Sequence, residues 1–349
     1  MKKFRLLGMA LVATLMLGAC DSAPASSVLP YQVIAYPMGT FINLQIFDEG
    51  KEPVLELALD RITELEALFT VNEGELLEYS EVERINRYAG VEPVAVSDIT
   101  FFLVGEAVEF SRYSGGLFNA TIGALTDLWQ IGFEGAHRPT NEEIEAVLPL
   151  LDYNNVVLDS ANQTVYLEAG MRFDLGGIAK GFIADEVQRV FAENGVENAI
   201  IDLGGDLFVM GHNLRGNPWN VGVQNPFAGR GTGQSVLAFS ASDRSIVTSG
   251  VYERFLDYEG TRYHHIFNSE TGFPFDNDVA GVTIVASSAI EGEKYTKLAF
   301  GLGVEAGLAA IEAVDGIEAI FINFDKEIFT TSGLRGELRN VDSSFTVVE

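Results

Sequence analysis

The segment that decides the fold spans residues 173–181 and reads FDLGGIAKG. A strand-like stretch ends at Asp174, two glycines follow, and helical spacing of apolar residues begins at Ile178. Glycines ahead of a helix leave backbone N–H groups open to an anion, and the helix dipole favours negative charge there. Lys180 lies in the first turn, where its ammonium could meet a phosphate. The spacing matches neither the dinucleotide fingerprint nor the P-loop. The segment therefore predicts either an anion site or a tight strand-to-helix turn with a surface lysine.

Two further segments place polar groups at the ends of strand-like runs. One is the Gly204-Gly205 pair ahead of Asp206, and the other begins at Thr248 and leads on to His265. Hydroxyl groups, glycines and an imidazole can orient a phosphate or accept a proton. A lone histidine is more often structural, so His265 gains weight only in combination with the other segments.

Helices and strand-like runs are mixed along the chain. Apolar periodicity and capping signals predict helices over residues 53–69, from residue 140, and over 178–194 and 288–302. Strand-like runs cover residues 33–47, 155–167, 199–209, 236–248 and 279–286. Because the two kinds of element do not alternate regularly, we expect an α+β fold with two lobes, mixed or antiparallel sheets and packed helices.

The N-terminus has the pattern of a lipoprotein signal peptide over residues 1–19. Three basic residues among the first five precede an uncharged apolar run at 6–17, which is shorter than the ~20 residues of a bilayer span. Cys20 follows and is the only cysteine of the chain, so we expect it to be lipidated. The alternative is an ordinary signal peptide with an incidental cysteine. The expected location is extracytoplasmic, anchored to the cell membrane, with residues 20–27 as a flexible tether and 28–349 as the functional domain.

Composition excludes several function classes. The formal charge is −28, and three cations lie in residues 1–19, so the rest of the chain carries −28 − 3 = −31. Nucleic acid is therefore not an expected partner, because its phosphates would be repelled. With Cys20 lipidated, no thiol is left for a disulfide, a metal ligand or a nucleophile.

Taken together, these segments resemble the ApbE-type flavin transferases, which are FAD:protein FMN transferases. The resemblance runs in order through nearly all of residues 28–349. It rests on MGT at 38–40, SEVERIN at 80–86, GGLFNAT at 115–121 with LW at 128–129, DLGGIAKG at 174–181, DLGGD at 202–206, TSG at 248–250, and HI at 265–266 with TG at 271–272.

The resemblance implies FAD as substrate, Mg²⁺ as metal, and transfer of FMN to a threonine hydroxyl of an exported flavoprotein. The implied acceptor carries a Ser/Asp-Gly-Ala/Ser-Thr motif; this chain has none, so the acceptor should be another polypeptide. The implied catalytic groups are Lys180 and His265, with His265 as the candidate base. The implied FAD contacts are Met38, Asn72, Leu117, Phe118, Asn119, Asp174, Lys180, Thr248, Ile266 and Phe267.

The implied metal site departs from the family pattern. The Gly177 carbonyl is one expected ligand, and a helix with the pattern Asp-x-x-(Asp/Ser)-Thr supplies the others, which fall on Glu293, Thr296 and Lys297. Glu293 keeps a carboxylate and Thr296 a hydroxyl, but Lys297 removes a ligand and adds a positive charge. Its ammonium could replace part of the metal's work, weaken Mg²⁺ binding, or point into solvent if the register slips by one residue.

Three alternatives to flavin transfer remain open at this stage. Asn72 stands where many transferases have an aromatic residue, and family members with asparagine there resemble a branch associated with FAD pyrophosphatase activity, which gives FMN and AMP. Lys297 also suits a non-catalytic FAD-binding lipoprotein. The third alternative is an interaction lipoprotein on the same scaffold that binds no flavin.

Overall fold

A computed structural model of the chain describes residues 30–71, 79–228 and 232–348. Within these ranges helices are combined with mainly antiparallel sheets, which confirms the α+β class. None of the helices in these ranges is long and apolar enough to cross a membrane. The predicted signal peptide, the tether, Cys20 and Asn72 lie outside the described residues.

The described helices include all four that the sequence predicts. Each predicted boundary is met within one residue. Capping side chains mark two of the starts: Thr140 and Glu143 form a capping box, and the Ser288 hydroxyl accepts a hydrogen bond from the Glu291 N–H. The helices are α1 Val54–Phe69, α2 Glu81–Arg87, α3 Asp98–Tyr113, α4 Gly123–Trp129, α5 Asn141–Val147, α6 Ala179–Glu193, α7 Ala289–Leu302 and α8 Val304–Glu312.

Sixteen strands are described, and nine of them form one sheet in the order β1-β2-β6-β7-β10-β13-β14-β15-β16. Adjacent strands of this sheet are antiparallel, except that β15 and β16 are parallel. The strands are β1 Tyr31–Ala35, β2 Ile42–Ile46, β3 Val94–Ala95, β4 Val157–Asp159, β5 Thr164–Tyr166, β6 Ala199–Leu203, β7 Asp206–Met210, β8 Trp219–Gln224, β9 Ser235–Ala241, β10 Arg244–Gly250, β11 Phe255–Tyr258, β12 Thr261–His264, β13 Val279–Ala286, β14 Glu318–Asn323, β15 Glu327–Thr330 and β16 Thr346–Val347.

Two glycines let α7 pack closely against its neighbours. A methyl group on Gly292 would lie 2.6 Å from Cγ2 of Val247, so at this point only glycine lets α7 lie against β10. A methyl group on Gly181 of α6 would lie 2.8 Å from Cγ of Glu293. The helix is thereby held against both the sheet and the first turn of α6, with the Glu293 side chain completely buried between them.

Candidate active site

The glycine pair at 176–177 forms the predicted turn from an extended segment into α6. Asp174 fixes this turn, since its Oδ1 accepts a hydrogen bond from the Gly176 N–H at 2.8 Å and its Oδ2 accepts one from the Thr126 hydroxyl at 3.0 Å. Ile178, at the start of α6, gives no side-chain cap. The N–H groups of Ile178 and Ala179 donate to the Leu175 carbonyl, whereas no side chain caps those of Lys180 and Gly181, an arrangement that suits an anion.

Four charged side chains meet beside this turn. The Lys180 ammonium pairs with Asp206 and lies 3.2 Å from Oε1 of Glu293, while the Lys297 ammonium pairs with Oε2 of Glu293. Glu293 is completely buried and Asp206 nearly so, whereas the Lys180 side chain is 32% exposed and that of Lys297 21%. The two carboxylates thus form the buried floor of the cluster, and the two ammonium groups lie nearer the solvent.

The pKa values of the cluster reflect burial and pairing together. Burial alone would lower the pKa of Lys180, but the charges of Asp206 and Glu293 outweigh it and raise that pKa. Burial alone would raise the pKa of Glu293, but Lys180 and Lys297 hold it below its ordinary value. For Asp206 burial prevails over Lys180, and its pKa rises to about 6. Lys180 is therefore held as a cation on the solvent side of the cluster.

Strand β10 supports the cluster from the sheet. The Thr248 N–H donates to Oδ1 of Asp206 at 3.3 Å. Thr248 also lies directly opposite Thr283 of β13, and their hydroxyl oxygens are 2.9 Å apart. Asp206 is therefore held by the sheet on one side and by Lys180 on the other.

His265 has the hydrogen-bonding pattern of a proton acceptor. Its Nδ1 lies 3.2 Å from the carbonyl oxygen of Arg254; because a carbonyl only accepts, Nδ1 carries the proton and Nε2 keeps its lone pair. Burial, with the charges of Arg254 and Lys297, lowers the pKa of His265, so the ring is neutral at ordinary pH. The neighbouring His264 is instead structural, with Nε2 on the Phe275 carbonyl and Nδ1 on the Ile266 N–H.

The residues of the implied flavin site lie at different places around α1, α6 and α7. The Phe118 ring lies beside the turn, since a methyl group on Gly177 would lie 3.3 Å from its Cε2. Leu117 lies against α7 at Gly301. Met38 has a left-handed backbone with φ of 57°, and its N–H donates to Glu66 at 2.5 Å. Non-glycine residues rarely adopt this conformation, and those that do are found disproportionately at functional sites.

Other implied flavin contacts have their side chains in the core. Asn119 donates to the Leu151 carbonyl at 2.8 Å and accepts from both the N–H and the hydroxyl of Thr121. Phe267 is buried and packs against Trp129, and Ile266 is buried in the main core. Flavin contacts by these three residues stay predictions.

Asp206 is the principal site residue that the sequence reasoning did not assign a role. The signal was present, because Asp206 directly follows the second glycine pair. Its role depends on a contact with Lys180 across 26 positions, which spacing does not reveal. Gly181 was likewise part of the motif without a role, and its close approach to α7 supplies one.

The described residues do not fit the magnesium site that the resemblance implies. Oε2 of Glu293 pairs with the Lys297 ammonium, which has no lone pair to offer a metal, and Oε1 lies 3.2 Å from the Lys180 ammonium but has no hydrogen bond. The Thr296 hydroxyl is fully buried and donates to the carbonyl of Glu293 in its own helix at 2.9 Å. Lys297 does not point away into solvent, since a methyl group on Gly177 would lie 3.7 Å from its Cε. Magnesium binding is therefore not confirmed.

Comparison with known proteins identifies the family. The model of the ApbE family matches residues 38–321. The chain belongs to the ApbE family. Among curated ApbE relatives, one from Klebsiella pneumoniae (strain 342) is 36% identical over 91% of this chain and 97% of its own length. Another, from Treponema pallidum (strain Nichols), is 33% identical over 95% of this chain and 94% of its own length. Both are named FAD:protein FMN transferase.

Solved ApbE structures share the fold. The crystal structure of the ApbE protein from Thermotoga maritima superposes with a TM-score of 0.80 at 27% identity, covering 89% of this chain and all of that one. The flavin transferase ApbE from Vibrio cholerae gives a TM-score of 0.75 at 26% identity, covering 87% of this chain and 97% of that one. The predicted family and fold class are thus confirmed.

Proposed function

We propose that this protein is a flavin transferase that moves FMN from FAD to a threonine hydroxyl of another polypeptide. The observation that carries the proposal is the cluster of Lys180 and Lys297 over buried carboxylates at the start of α6. Two cations and a helix N-terminus at one turn are suited to a diphosphate. The names of the ApbE relatives supply the substrate, FAD, and the group transferred, FMN.

The reaction is a phosphoryl transfer in which atoms balance. The acceptor hydroxyl oxygen attacks the phosphorus that carries the riboflavin part of FAD. A new phosphoester bond forms, the bond from that phosphorus to the bridging oxygen breaks, and AMP leaves with the bridging oxygen. The hydroxyl proton goes to a base. Catalysis of such a transfer depends mainly on positioning and on stabilising the charge of the phosphates.

Lys180 and His265 have separate roles in this scheme. The Lys180 ammonium, anchored by Asp206 and Glu293, stabilises negative charge on the phosphates as AMP leaves. The neutral Nε2 of His265 accepts the proton of the acceptor hydroxyl. A bound Mg²⁺, as the resemblance implies, would neutralise phosphate charge, but the residues do not fit it and no step is assigned to it.

The proposed acceptor is an exported flavoprotein with a Ser/Asp-Gly-Ala/Ser-Thr motif, such as a subunit of a membrane redox complex. The support comes from the N-terminal pattern that ends at Cys20, which would anchor this protein on the outer side of the cell membrane. Cells expressing the chain should incorporate labelled palmitate into it. Incorporation should be lost in Cys20→Ser, and equal labelling of both proteins would contradict the anchor.

The transfer is tested with the purified full-length chain, FAD and an acceptor peptide that carries the threonine motif. We expect a fluorescent, covalently flavinylated peptide and one AMP released per flavin transferred. The control is the same peptide with its threonine replaced by alanine, which should stay unlabelled. FMN and AMP accumulating without labelled peptide would instead establish the FAD pyrophosphatase, and bound FAD without AMP would establish the non-catalytic lipoprotein.

A further inference from the structure

The feature that separates this chain from the family's metal pattern is the position of the Lys297 side chain. Lys297 stands one helical turn after Glu293 on α7 and pairs with Oε2 of that residue. Its Cε lies beside Gly177, at the turn that leads into α6. The ammonium is therefore in the place where the family pattern would put a cation, between the carboxylate and the glycine turn.

The charges of the cluster balance without a metal. Asp206 and Glu293 contribute two negative charges, and Lys180 and Lys297 contribute two positive ones. With threonine at position 297, as the family pattern has it, the same cluster would carry a net charge of −1, and Oε2 of Glu293 would lose its ammonium partner. That arrangement attracts a divalent cation, whereas two ammonium groups on Glu293 repel one.

We propose that the Lys297 ammonium takes the place of the divalent cation and itself binds the pyrophosphate oxygens of FAD. FAD binding then needs no added divalent cation. The ammonium carries a full charge and three N–H donors, which suits phosphate oxygens, and buried Glu293 holds it in position. Lys297 forms and breaks no covalent bond; it stabilises charge on the departing AMP. The choice of ligand rests on the proposed function.

The side chain is placed to reach a ligand. About a fifth of Lys297 is exposed, so its ammonium can meet an oxygen anion without leaving Glu293. Lys180 approaches the other oxygen of Glu293 from α6. A diphosphate at the glycine turn would therefore meet one ammonium from each helix as well as the uncapped N–H groups of Lys180 and Gly181.

The test is FAD affinity in excess EDTA and in millimolar Mg²⁺, measured on the purified full-length chain from quenching of flavin fluorescence. The variants are Lys297→Thr, which restores the family residue, and Lys297→Met. Lys294→Met is the matched control, since Lys294 lies on the same helix but pairs with Glu106 and Glu291. Thermal unfolding of each variant checks that it folds.

We expect the FAD affinity of the wild-type chain and of Lys294→Met to be the same in EDTA and in Mg²⁺. Lys297→Thr and Lys297→Met should bind FAD about tenfold or more weakly in EDTA, as for loss of one charged contact to phosphate. Mg²⁺ should restore the affinity of Lys297→Thr. An increase of about tenfold for the wild-type chain on adding Mg²⁺ would overturn the proposal, because that change corresponds to a metal contact made in binding.

Two further outcomes are informative. If Lys297→Met binds FAD in EDTA as tightly as the wild-type chain, Lys297 is only the counter-ion of Glu293 and the proposal is wrong. If the affinities follow the expected pattern but no variant transfers flavin or releases AMP under either condition, the proposed function is wrong and the role of Lys297 in binding stands. The wild-type comparison requires no variant to fold.

Discussion

Gly181 of α6 and Glu293 of α7 pack so closely that a methyl group on Gly181 would lie 2.8 Å from Cγ of Glu293. This contact brings the first turn of α6, with Lys180, against the buried carboxylate that both lysines share. The glycine therefore positions the charged cluster, although it makes no contact with a ligand itself.

Gly181→Ala should separate α6 from α7 and disturb the cluster. We expect a loss of about 1–3 kcal/mol in the free energy of unfolding, as for overpacking, together with weaker FAD binding. Gly105→Ala is the control, because Gly105 lies inside α3 with nothing near its missing side chain. It should leave FAD binding unchanged and raise stability by roughly 0.5–1 kcal/mol. Equal effects of the two changes in denaturant unfolding would contradict the packing argument.

Lys180→Met should weaken both FAD binding and stability. It leaves buried Asp206 without its ammonium partner and Glu293 with only Lys297. We expect about 3 kcal/mol of lost stability at neutral pH, at the low end for a broken buried pair because a third of Lys180 is exposed. Arg189→Met, on the exposed surface of the same helix, should cost less than about 1 kcal/mol. Unchanged FAD affinity in Lys180→Met would show that Lys180 does not contribute to FAD binding.

His265→Ala should lower kcat for flavin transfer by about 10²–10⁴, the usual contribution of a general base, while FAD affinity changes little. His137→Ala, at an exposed histidine of α4's C-terminal loop, should have no effect. Because burial and the neighbouring cations lower the pKa of His265, the rate should also show no break near the ordinary histidine pKa of about 6.5. A break there that disappears in His265→Ala would contradict the assigned protonation state.

Asp185 makes stability depend on pH. Its carboxylate accepts hydrogen bonds from the N–H groups of Ala289 and Ile290 at the start of α7, and burial raises its pKa from 3.8 to about 6. Since the raised pKa means that the folded state holds this proton more tightly than the unfolded state, we expect stability to fall as the pH rises from about 4 to about 6 and then to stay constant.

Asp185→Asn removes that titration. The wild-type free energy of unfolding should therefore decline relative to the variant across this range, by at most about 3 kcal/mol for a shift of this size. Urea unfolding of both proteins between pH 4 and pH 7 measures the difference. If the difference in free energy of unfolding stays constant, or grows in favour of the wild-type chain as the pH rises, the pKa of Asp185 is not raised.

Helix and strand boundaries could be predicted from the sequence where the contacts that set them join residues close together in the chain. The boundaries of α5 and α7 follow from the hydroxyl caps of Thr140 and Ser288, which act within three residues. The run at 33–47 proved to be two strands around a short turn at Pro37–Gly39, because proline and glycine end the first strand.

Contacts between distant residues could not be predicted in the same way. Helix α3 was not predicted; its Ile, Thr and Phe residues after Asp98 favour strands, and burial of its apolar face against the core decides the outcome. The pairing of Lys180 with Asp206 and the sharing of Glu293 by two lysines need α6, α7 and the sheet to be in place. The sequence motif predicted the place of the site, whereas the pairing of its charges could be seen only in the folded structure.

The most direct test of the central claim is the flavin-transfer assay with the purified full-length chain, FAD and a peptide that carries the acceptor threonine. Labelled peptide is separated under denaturing conditions, and its flavin fluorescence and released AMP are measured together. We predict covalent flavin on the threonine peptide, none on the alanine peptide, and equal amounts of AMP and peptide-bound flavin. FMN and AMP without labelled peptide, in EDTA and in Mg²⁺ alike, would contradict flavin transfer.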